Sequence, residues 1–128
     1  MREATFSTRV AAKLAGATYR QVDYWCRTGA LSPLNNGTGS GGGRARRFTL
    51  DEVCVVKVLA ELSRHGATCE TWSTVAAWLS MPVELWPDMV CVSTDGEIST
   101  GLRTGWLLDL AEISSSVFDD VAARAARE

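Results

Sequence analysis

Apolar residues recur at helical spacing in two short segments near the start of the chain, residues 8–15 and 19–27. Their inward stripes consist of Val10, Ala11 and Leu14 in the first segment and of Val22, Trp25 and Cys26 in the second. Polar cap residues precede the segments and glycines follow them: Ser7 and Gly16 for the first, Thr18 and Gly29 for the second. Two short helices joined by a tight turn predict a helix-turn-helix.

A glycine-rich stretch follows the second helix and leads into a basic segment. Residues 30–34 contain Pro33 and are too short for a helix, so they predict an extended segment. Residues 35–43 consist of glycine, asparagine, serine and threonine, which is typical of a loop tip. Residues 44–48, with three arginines and Phe48, predict a returning strand. We therefore expect a hairpin, or wing, beside the helix-turn-helix.

Two longer helices are expected after the wing. Thr49 and Glu52 match a capping box, in which the threonine hydroxyl and the glutamate carboxylate each accept a hydrogen bond from the other residue's backbone amide. A helix therefore begins just after Thr49 and stops at Gly66, and another follows with Thr68 as its cap. The inward positions are Val53, Val56, Leu59, Ala60 and Ser63 in the first of these helices and Trp72, Val75, Ala76 and Leu79 in the second.

Beyond residue 81 the pattern changes to short apolar runs. Residues 89–93 predict a strand, residues 94–97 a hairpin turn and residues 98–100 the start of the returning strand. Residues 105–108 predict a further short strand, and apolar positions from Asp109 onward predict a closing amphipathic helix. We expect a mainly α protein with small β elements. A winged helix-turn-helix domain that binds DNA would occupy residues 1–81. A small α+β domain with a β-hairpin and the closing helix would occupy residues 82–128 and serve dimerisation or regulation.

Charge is divided unevenly between these two parts. Residues 1–81 contain ten Lys or Arg and six Asp or Glu, whereas residues 82–128 contain three and nine, although the whole chain has a formal net charge of only −2. Cationic side chains neutralise phosphates, so the first part is suited to face nucleic acid and the acidic second part should avoid it.

Several other classes of protein are disfavoured. The four cysteines, Cys26, Cys54, Cys69 and Cys91, include no Cys-x-x-Cys pair and have one histidine to help them, so we expect buried free thiols and no metal site. No apolar run approaches the ~20 residues of a membrane span, and the N-terminal residues lack a secretory signal, so we expect a cytoplasmic protein. The sequence has no phosphate-loop lysine and no defensible catalytic triad or carboxylate pair, so we expect neither a cofactor nor an enzyme.

In their order along the chain, these motifs resemble the N-terminal domain of the MerR family of transcription regulators, over roughly residues 5–80. The run ATYRQVDYW at residues 17–25, followed by Arg27-Thr28-Gly29, is similar to the actinobacterial branch of that family and its phage-borne relatives. The resemblance implies a winged helix-turn-helix that dimerises, inserts the second helix of each copy into successive major grooves and grips flanking phosphates with its wings. The long dimerisation helix and the cysteine-bearing metal loop of the metal sensors are missing here, which argues against metal sensing.

The residues predicted to contact DNA lie on the second helix and the wing. The resemblance places Thr18, Arg20, Gln21 and Tyr24 on the recognition helix, Arg46 at the family's wing arginine and Phe48 at the aromatic after it. Arginine matches guanine and glutamine matches adenine, so Arg20 and Gln21 can read base edges, while Tyr24 can donate to a phosphate. Arg46 is the first choice in the wing, with Arg44 on the same side and Arg47 turned away. The full predicted set is Thr18, Arg20, Gln21, Tyr24, Arg27, Arg44, Arg46 and Arg47.

Two neighbours of these residues have other expected roles. Asp23 stands where the family commonly has arginine, so a phosphate contact often made there is in doubt. We expect Asp23 to accept a hydrogen bond from a neighbouring arginine and to hold that side chain in position. The alternative is that Asp23 accepts a hydrogen bond from the amino group of cytosine. Trp25 is expected in the core.

The leading hypothesis is a sequence-specific regulator of transcription that binds double-stranded DNA as a homodimer. RNA polymerase and a small-molecule effector are further candidate partners. One alternative is a recombination directionality factor, such as a phage excisionase, that binds DNA cooperatively. The other alternative is a module that senses a ligand or a protein through its C-terminal half. Four tryptophans of that half belong either to the core or to a surface that binds a partner: Trp72, Trp78, Trp86 and Trp106.

Overall fold

The helix-turn-helix forms with the predicted bounds. The computed structural model describes residues 5–32, 46–93, 97–100 and 105–126. In it, α1 spans Thr8–Ala15 and α2 spans Tyr19–Arg27. Ser7 Oγ accepts a hydrogen bond from the Val10 amide at 3.2 Å and caps α1. Gly16 ends α1 with a φ of 73°, a left-handed conformation that glycine adopts without penalty, so the chain turns directly into α2.

A two-stranded sheet ties the N-terminal segment to the start of the third helix. β1 (Thr5–Phe6) pairs antiparallel with β2 (Phe48–Thr49), which places Phe6 opposite Phe48. Phe48 is buried in the core. Most of the predicted wing, residues 33–45, lies outside the described residues, so the wing stays a prediction.

The third helix, α3 (Leu50–Arg64), lies at the centre of the fold. Its predicted capping box is confirmed: Thr49 Oγ1 accepts from the Glu52 amide at 3.2 Å, and Glu52 Oε1 accepts from the Thr49 amide at 2.8 Å. The prediction of one inward stripe was too narrow, because α1, α4 (Cys69–Trp78) and α5 (Leu110–Ala126) all pack against α3. Its buried residues are Val53, Cys54, Val55, Val56, Val58, Leu59, Ala60 and Leu62.

The fourth helix, α4, begins after Thr68 as predicted, although the Thr68 side chain makes no capping hydrogen bond. Val75 and Leu79 are buried, whereas Trp72 is half-buried. A short 3-10 turn at Val83–Leu85 follows, and the Val83 amide donates to Asp51 Oδ2 at 3.4 Å. This bond connects the segment after α4 to the first turn of α3.

The later strands join in one antiparallel sheet. β3 (Met89–Val92) lies between β4 (Ile98–Ser99) and β5 (Trp106–Asp109). β3 and β4 form the predicted hairpin, and the strand predicted separately, β5, pairs with the other edge of β3. Gly105 precedes β5 with a φ of 153°, and a Cβ there would lie 2.3 Å from the Val92 carbonyl oxygen. Only glycine allows the chain to approach β3 so closely.

The closing helix α5 packs on α3 and α1. Lys57 Nζ on α3 donates to Ser116 Oγ on α5 at 2.9 Å. Leu110, Ile113 and Val117 belong to the same buried cluster as the earlier helices. The protein is mainly helical with small sheets, as predicted, while the functional division at residues 81–82 stays a prediction. Within the described ranges, no helix is long and apolar enough to cross a membrane.

Candidate nucleic-acid interface

The second helix has a buried face and an exposed polar face. Val22, Trp25 and Cys26 are at most 4% exposed and anchor α2 to the core, which confirms the expected position of Trp25. Arg20 and Arg27 are exposed, and Tyr24 is 50% exposed. Within the described part of the chain, no hydrogen bond or ion pair occupies the Arg20 guanidinium. The outward face therefore offers a free cation on a helix that the core holds in place.

Two of the predicted contact residues, Thr18 and Gln21, form the cap of α2. Thr18 Oγ1 accepts from the Gln21 amide at 3.0 Å, and Gln21 Oε1 accepts from the Thr18 amide at 3.0 Å. Gln21 Nε2 also donates to Ser63 Oγ on α3 at 3.4 Å. The Thr18 cap agrees with the sequence pattern, whereas the capping role of Gln21 was not predicted, although the spacing Thr-x-x-Gln matches a capping box. An adenine contact by Gln21 would require this side-chain amide to leave its cap.

Asp23 joins α2 to the first described residue after the glycine-rich segment, Arg46. Its Oδ1 accepts from Arg46 Nη1 at 2.7 Å, and its Oδ2 lies 2.9 Å from Arg27 Nη2. The hydrogen bond from Arg46, strengthened by the charge of Arg27 and Arg46 and opposed by partial burial, lowers the pKa of the Asp23 carboxyl. This geometry confirms that Asp23 accepts from a neighbouring arginine. It also fixes Arg46, which is 20% exposed, beside α2.

Arg47, the other described arginine of the predicted wing, differs from Arg46. Arg47 points to β1, where its Nε donates to Thr5 Oγ1 at 3.1 Å and its Nη2 donates to the Thr5 carbonyl at 2.9 Å. These bonds give Arg47 a role in holding the N-terminal strand. Arg44 lies outside the described residues.

Arg9 and Tyr19 form a further exposed cationic feature that the sequence analysis missed. The Arg9 guanidinium carbon lies 5.3 Å from the centre of the Tyr19 ring, which is within cation–π distance. Tyr19 is 47% exposed and Arg9 is also exposed. Their ten-residue separation crosses the turn between α1 and α2, so no periodic signal within one helix could have paired them.

An open groove of about 450 Å³ runs along one side of α2. Its floor includes Trp72 from α4, whose ring lies edge-on to Tyr24 at 6.1 Å and to Trp25 at 5.6 Å between ring centres. The groove is lined by Arg20, Gln21, Asp23, Tyr24, Trp25, Arg27, Ser63 and Trp72. Trp72 therefore brings α4 into contact with α2.

The cysteines whose side chains the structure describes are buried, as predicted: Cys26, Cys54 and Cys91. Burial raises the pKa of the Cys26 thiol to about 11 and that of Cys54 to about 12. A thiol with such a pKa is almost wholly protonated at neutral pH and is therefore a poor nucleophile and metal ligand.

Comparison with known proteins gives a family match over the helix-turn-helix and its supporting helices. The family model for MerR HTH family regulatory proteins matches residues 6–77. The chain is also similar to uncharacterised HTH-type transcriptional regulators of Mycobacterium bovis and of two strains of Mycobacterium tuberculosis. With each of them it shares 36% identity over 56 residues, which is 44% of this chain. The matched segment spans 24% of the length of these curated relatives.

Proposed function

The chain belongs to the MerR family of helix-turn-helix regulatory proteins, and we propose that it regulates transcription by binding double-stranded DNA at specific sequences. In this proposal α2 enters the major groove and the residues that follow the glycine loop contact the flanking backbone. An α-helix fits the major groove, where arginine can donate two hydrogen bonds to guanine.

The main support for the proposal is that the polar side chains of α2 and its cap fall into two groups, one exposed and one engaged in capping the helix. Arg20 is exposed and unpaired among the described residues, whereas Thr18 and Gln21 stabilise the helix start. We therefore assign base reading to Arg20. In this proposal Tyr24 and Arg27 contact phosphates, while Thr18 and Gln21 keep the helix in position. Arg46 reaches the same side of the molecule through its bond with Asp23.

Substitution of Arg20 tests this assignment. A footprint of the purified protein on the DNA upstream of its own gene would supply a specific duplex. Arg20→Ala should weaken binding to that duplex by about 1–3 kcal/mol and relax specificity at one base position. Arg124→Ala removes the same charge from α5 and serves as the control. Equal affinities for wild type, Arg20→Ala and Arg124→Ala would contradict the proposal.

We further propose that the protein binds as a homodimer through residues 82–128. Six large apolar or aromatic side chains are exposed in the described part of the chain, and four of them follow residue 81. These four form what we term the C-terminal apolar set: Leu85, Met89, Leu107 and Phe118. Leu107 is 54% exposed on β5, which is an edge strand of its sheet. Unburied apolar area of this kind is typical of protein interfaces.

The geometry of the footprint tests the dimer. A two-fold dimer would protect an inverted repeat with half-sites about 34 Å apart, because one turn of B-DNA separates successive major grooves on one face. Protection of direct repeats with positive cooperativity would instead favour the head-to-tail binding expected of an excisionase. The relative orientation of the two half-sites therefore separates these functions.

A further inference from the structure

The indole nitrogen of Trp72 is a buried donor without an acceptor. Among the described residues, Trp72 Nε1 is the one buried side-chain nitrogen or oxygen that has no hydrogen-bond partner. By contrast, the indole of Trp86 donates to the Met81 carbonyl at 3.2 Å. A buried donor that is left unpaired is costly, so an unpaired group in a folded protein calls for an explanation.

The groove around Trp72 is suited to an anion. Indole and guanidinium groups donate hydrogen bonds and cannot accept them, so Trp72 and Arg20, which have no acceptor among the described residues, both require one. Asp23 is the acidic residue of the lining, but its two oxygens already face Arg46 and Arg27. The remaining polar groups of the lining are the hydroxyls of Tyr24 and Ser63, the amide of Gln21 and the indole of Trp25. A ligand with negative charge and several acceptor oxygens complements the unpaired donors of Trp72 and Arg20.

We propose that this groove holds a backbone phosphate of the bound duplex and that Trp72 donates its indole N–H to it. The inference rests on the proposed function, because it assigns a second contact to the DNA that α2 binds. Tyr24 is half exposed and its ring lies against Trp72. In this arrangement Tyr24 rotates toward the DNA backbone and opens the groove. The phosphate then accepts hydrogen bonds from the Tyr24 hydroxyl, the Trp72 indole and Arg20 of α2. The unpaired N–H of the free protein becomes paired in the complex.

Trp72→Phe provides the direct test, because it removes the donor and keeps an aromatic ring. Phosphates are present in every sequence, so a 20-base-pair duplex of arbitrary sequence at low salt is a sufficient probe. Trp72→Phe should weaken binding by roughly tenfold, which is the typical contribution of a hydrogen bond to a charged group. Trp78→Phe, on the same helix but outside the groove lining, should bind like wild type. Thermal unfolding of both variants would establish that they remain folded.

A second measurement reports on the N–H itself. In an ¹⁵N-labelled protein, the resonance of the Trp72 indole is identified by its absence in Trp72→Phe. Saturation with the duplex should move this resonance downfield more than the other indole resonances, because its proton enters a hydrogen bond with a charged oxygen.

The outcomes separate this inference from the proposed function. If Trp72→Phe binds the duplex like wild type and the Trp72 resonance does not move, while Arg20→Ala is weakened, the phosphate site is wrong and the DNA-binding function stands. If Arg20→Ala is also unaffected, both proposals fail. A loss in Trp72→Phe but not in Trp78→Phe, together with a downfield shift of the Trp72 indole resonance, would support the groove as a phosphate site.

Discussion

Asp23→Asn is the most informative single substitution at the junction of α2 and the predicted wing. The aspartate holds Arg46 at 2.7 Å and Arg27 at 2.9 Å. Asparagine keeps the size of the side chain and one accepting oxygen but removes the negative charge. The change therefore weakens both pairings and leaves the packing of α2 intact.

The expected cost in stability follows from the exposure of the three groups. Asp23 and Arg46 are each 20% exposed, whereas Arg27 is 72% exposed. A hydrogen bond between charged groups contributes about 1.5–3 kcal/mol when it is protected, and an exposed ion pair contributes about 0.2–1 kcal/mol. After allowing for solvent around Asp23, we expect Asp23→Asn to lower the free energy of unfolding by about 1 kcal/mol. That loss would lower Tm by about 3–5 °C in a chain of this size.

Asp23→Asn should change the affinity for specific DNA and the affinity for non-specific DNA in opposite directions. Removing a negative charge beside the interface favours any duplex, but freeing Arg46 removes its fixed position and costs entropy on binding. We expect the ratio of specific to non-specific affinity to fall several-fold. Fluorescence anisotropy with the footprinted duplex and a scrambled one, at two salt concentrations, measures this ratio. Asp120→Asn, an equal charge change on the exposed face of α5, is the control.

Two results would refute this reasoning. One is an unchanged affinity ratio in Asp23→Asn, which would mean that Asp23 does not position Arg46 for DNA. The other concerns pH. Because the folded pKa of Asp23 is lowered, its stabilising effect should be complete above the ordinary aspartate pKa of about 3.9 and should disappear as the pH falls through the lower folded value. A stability difference between wild type and Asp23→Asn that grows below pH 4 would contradict the pairing.

Three further predictions concern the backbone, the thiols and the interface. Gly105→Ala should lower the free energy of unfolding by more than about 3 kcal/mol, because its Cβ would lie 2.3 Å from the Val92 carbonyl oxygen. Gly16→Ala, whose Cβ would meet open space, should lower it by about 1–2 kcal/mol, and comparable losses in thermal unfolding would contradict this distinction. Cys26 and Cys54 should resist alkylation at pH 8 until the chain unfolds, and mass spectrometry that finds either modified in the folded protein would contradict their burial. Leu107→Lys should shift the protein toward monomer in light scattering, and a wild type that is already monomeric when bound to DNA would contradict the proposed dimer.

Local signals predicted the helices well because each helix end depends on a few neighbouring residues. The predicted bounds of α1 and α2 match the structure, and the capping box at Thr49 and Glu52 marks the start of α3. The same type of signal is present at Thr18 and Gln21, for which base or backbone contacts with DNA were predicted. In the structure the side-chain oxygen of each residue accepts a hydrogen bond from the other's backbone amide, so it is not free to contact DNA.

Contacts between distant residues could not be predicted from sequence patterns. An arginine partner for Asp23 was expected, but the choice of Arg46, 23 residues away, depends on how the chain returns to α2. The order β4-β3-β5 depends likewise on which strands meet, and the short apolar runs carry no information about that order. The position of Trp72 against Tyr24 and Trp25 results from the packing of α4 on the core, which spacing within either helix does not specify.

In the proposed function, the local arrangement around Asp23 would let a chain with a net charge of −2 select a DNA sequence. Non-specific affinity grows with the number of phosphates that cations neutralise. Each neutralised phosphate makes the fall of log affinity with log salt concentration steeper by about 0.9. Asp23 compensates part of the positive charge of Arg27 and Arg46 while leaving Arg20 unpaired among the described residues. Attraction to any duplex is thereby reduced, whereas Arg20, the proposed base-reading cation, keeps its full hydrogen-bonding capacity. We therefore expect a shallow salt dependence for wild type and a steeper one for Asp23→Asn, and equal slopes would contradict this account.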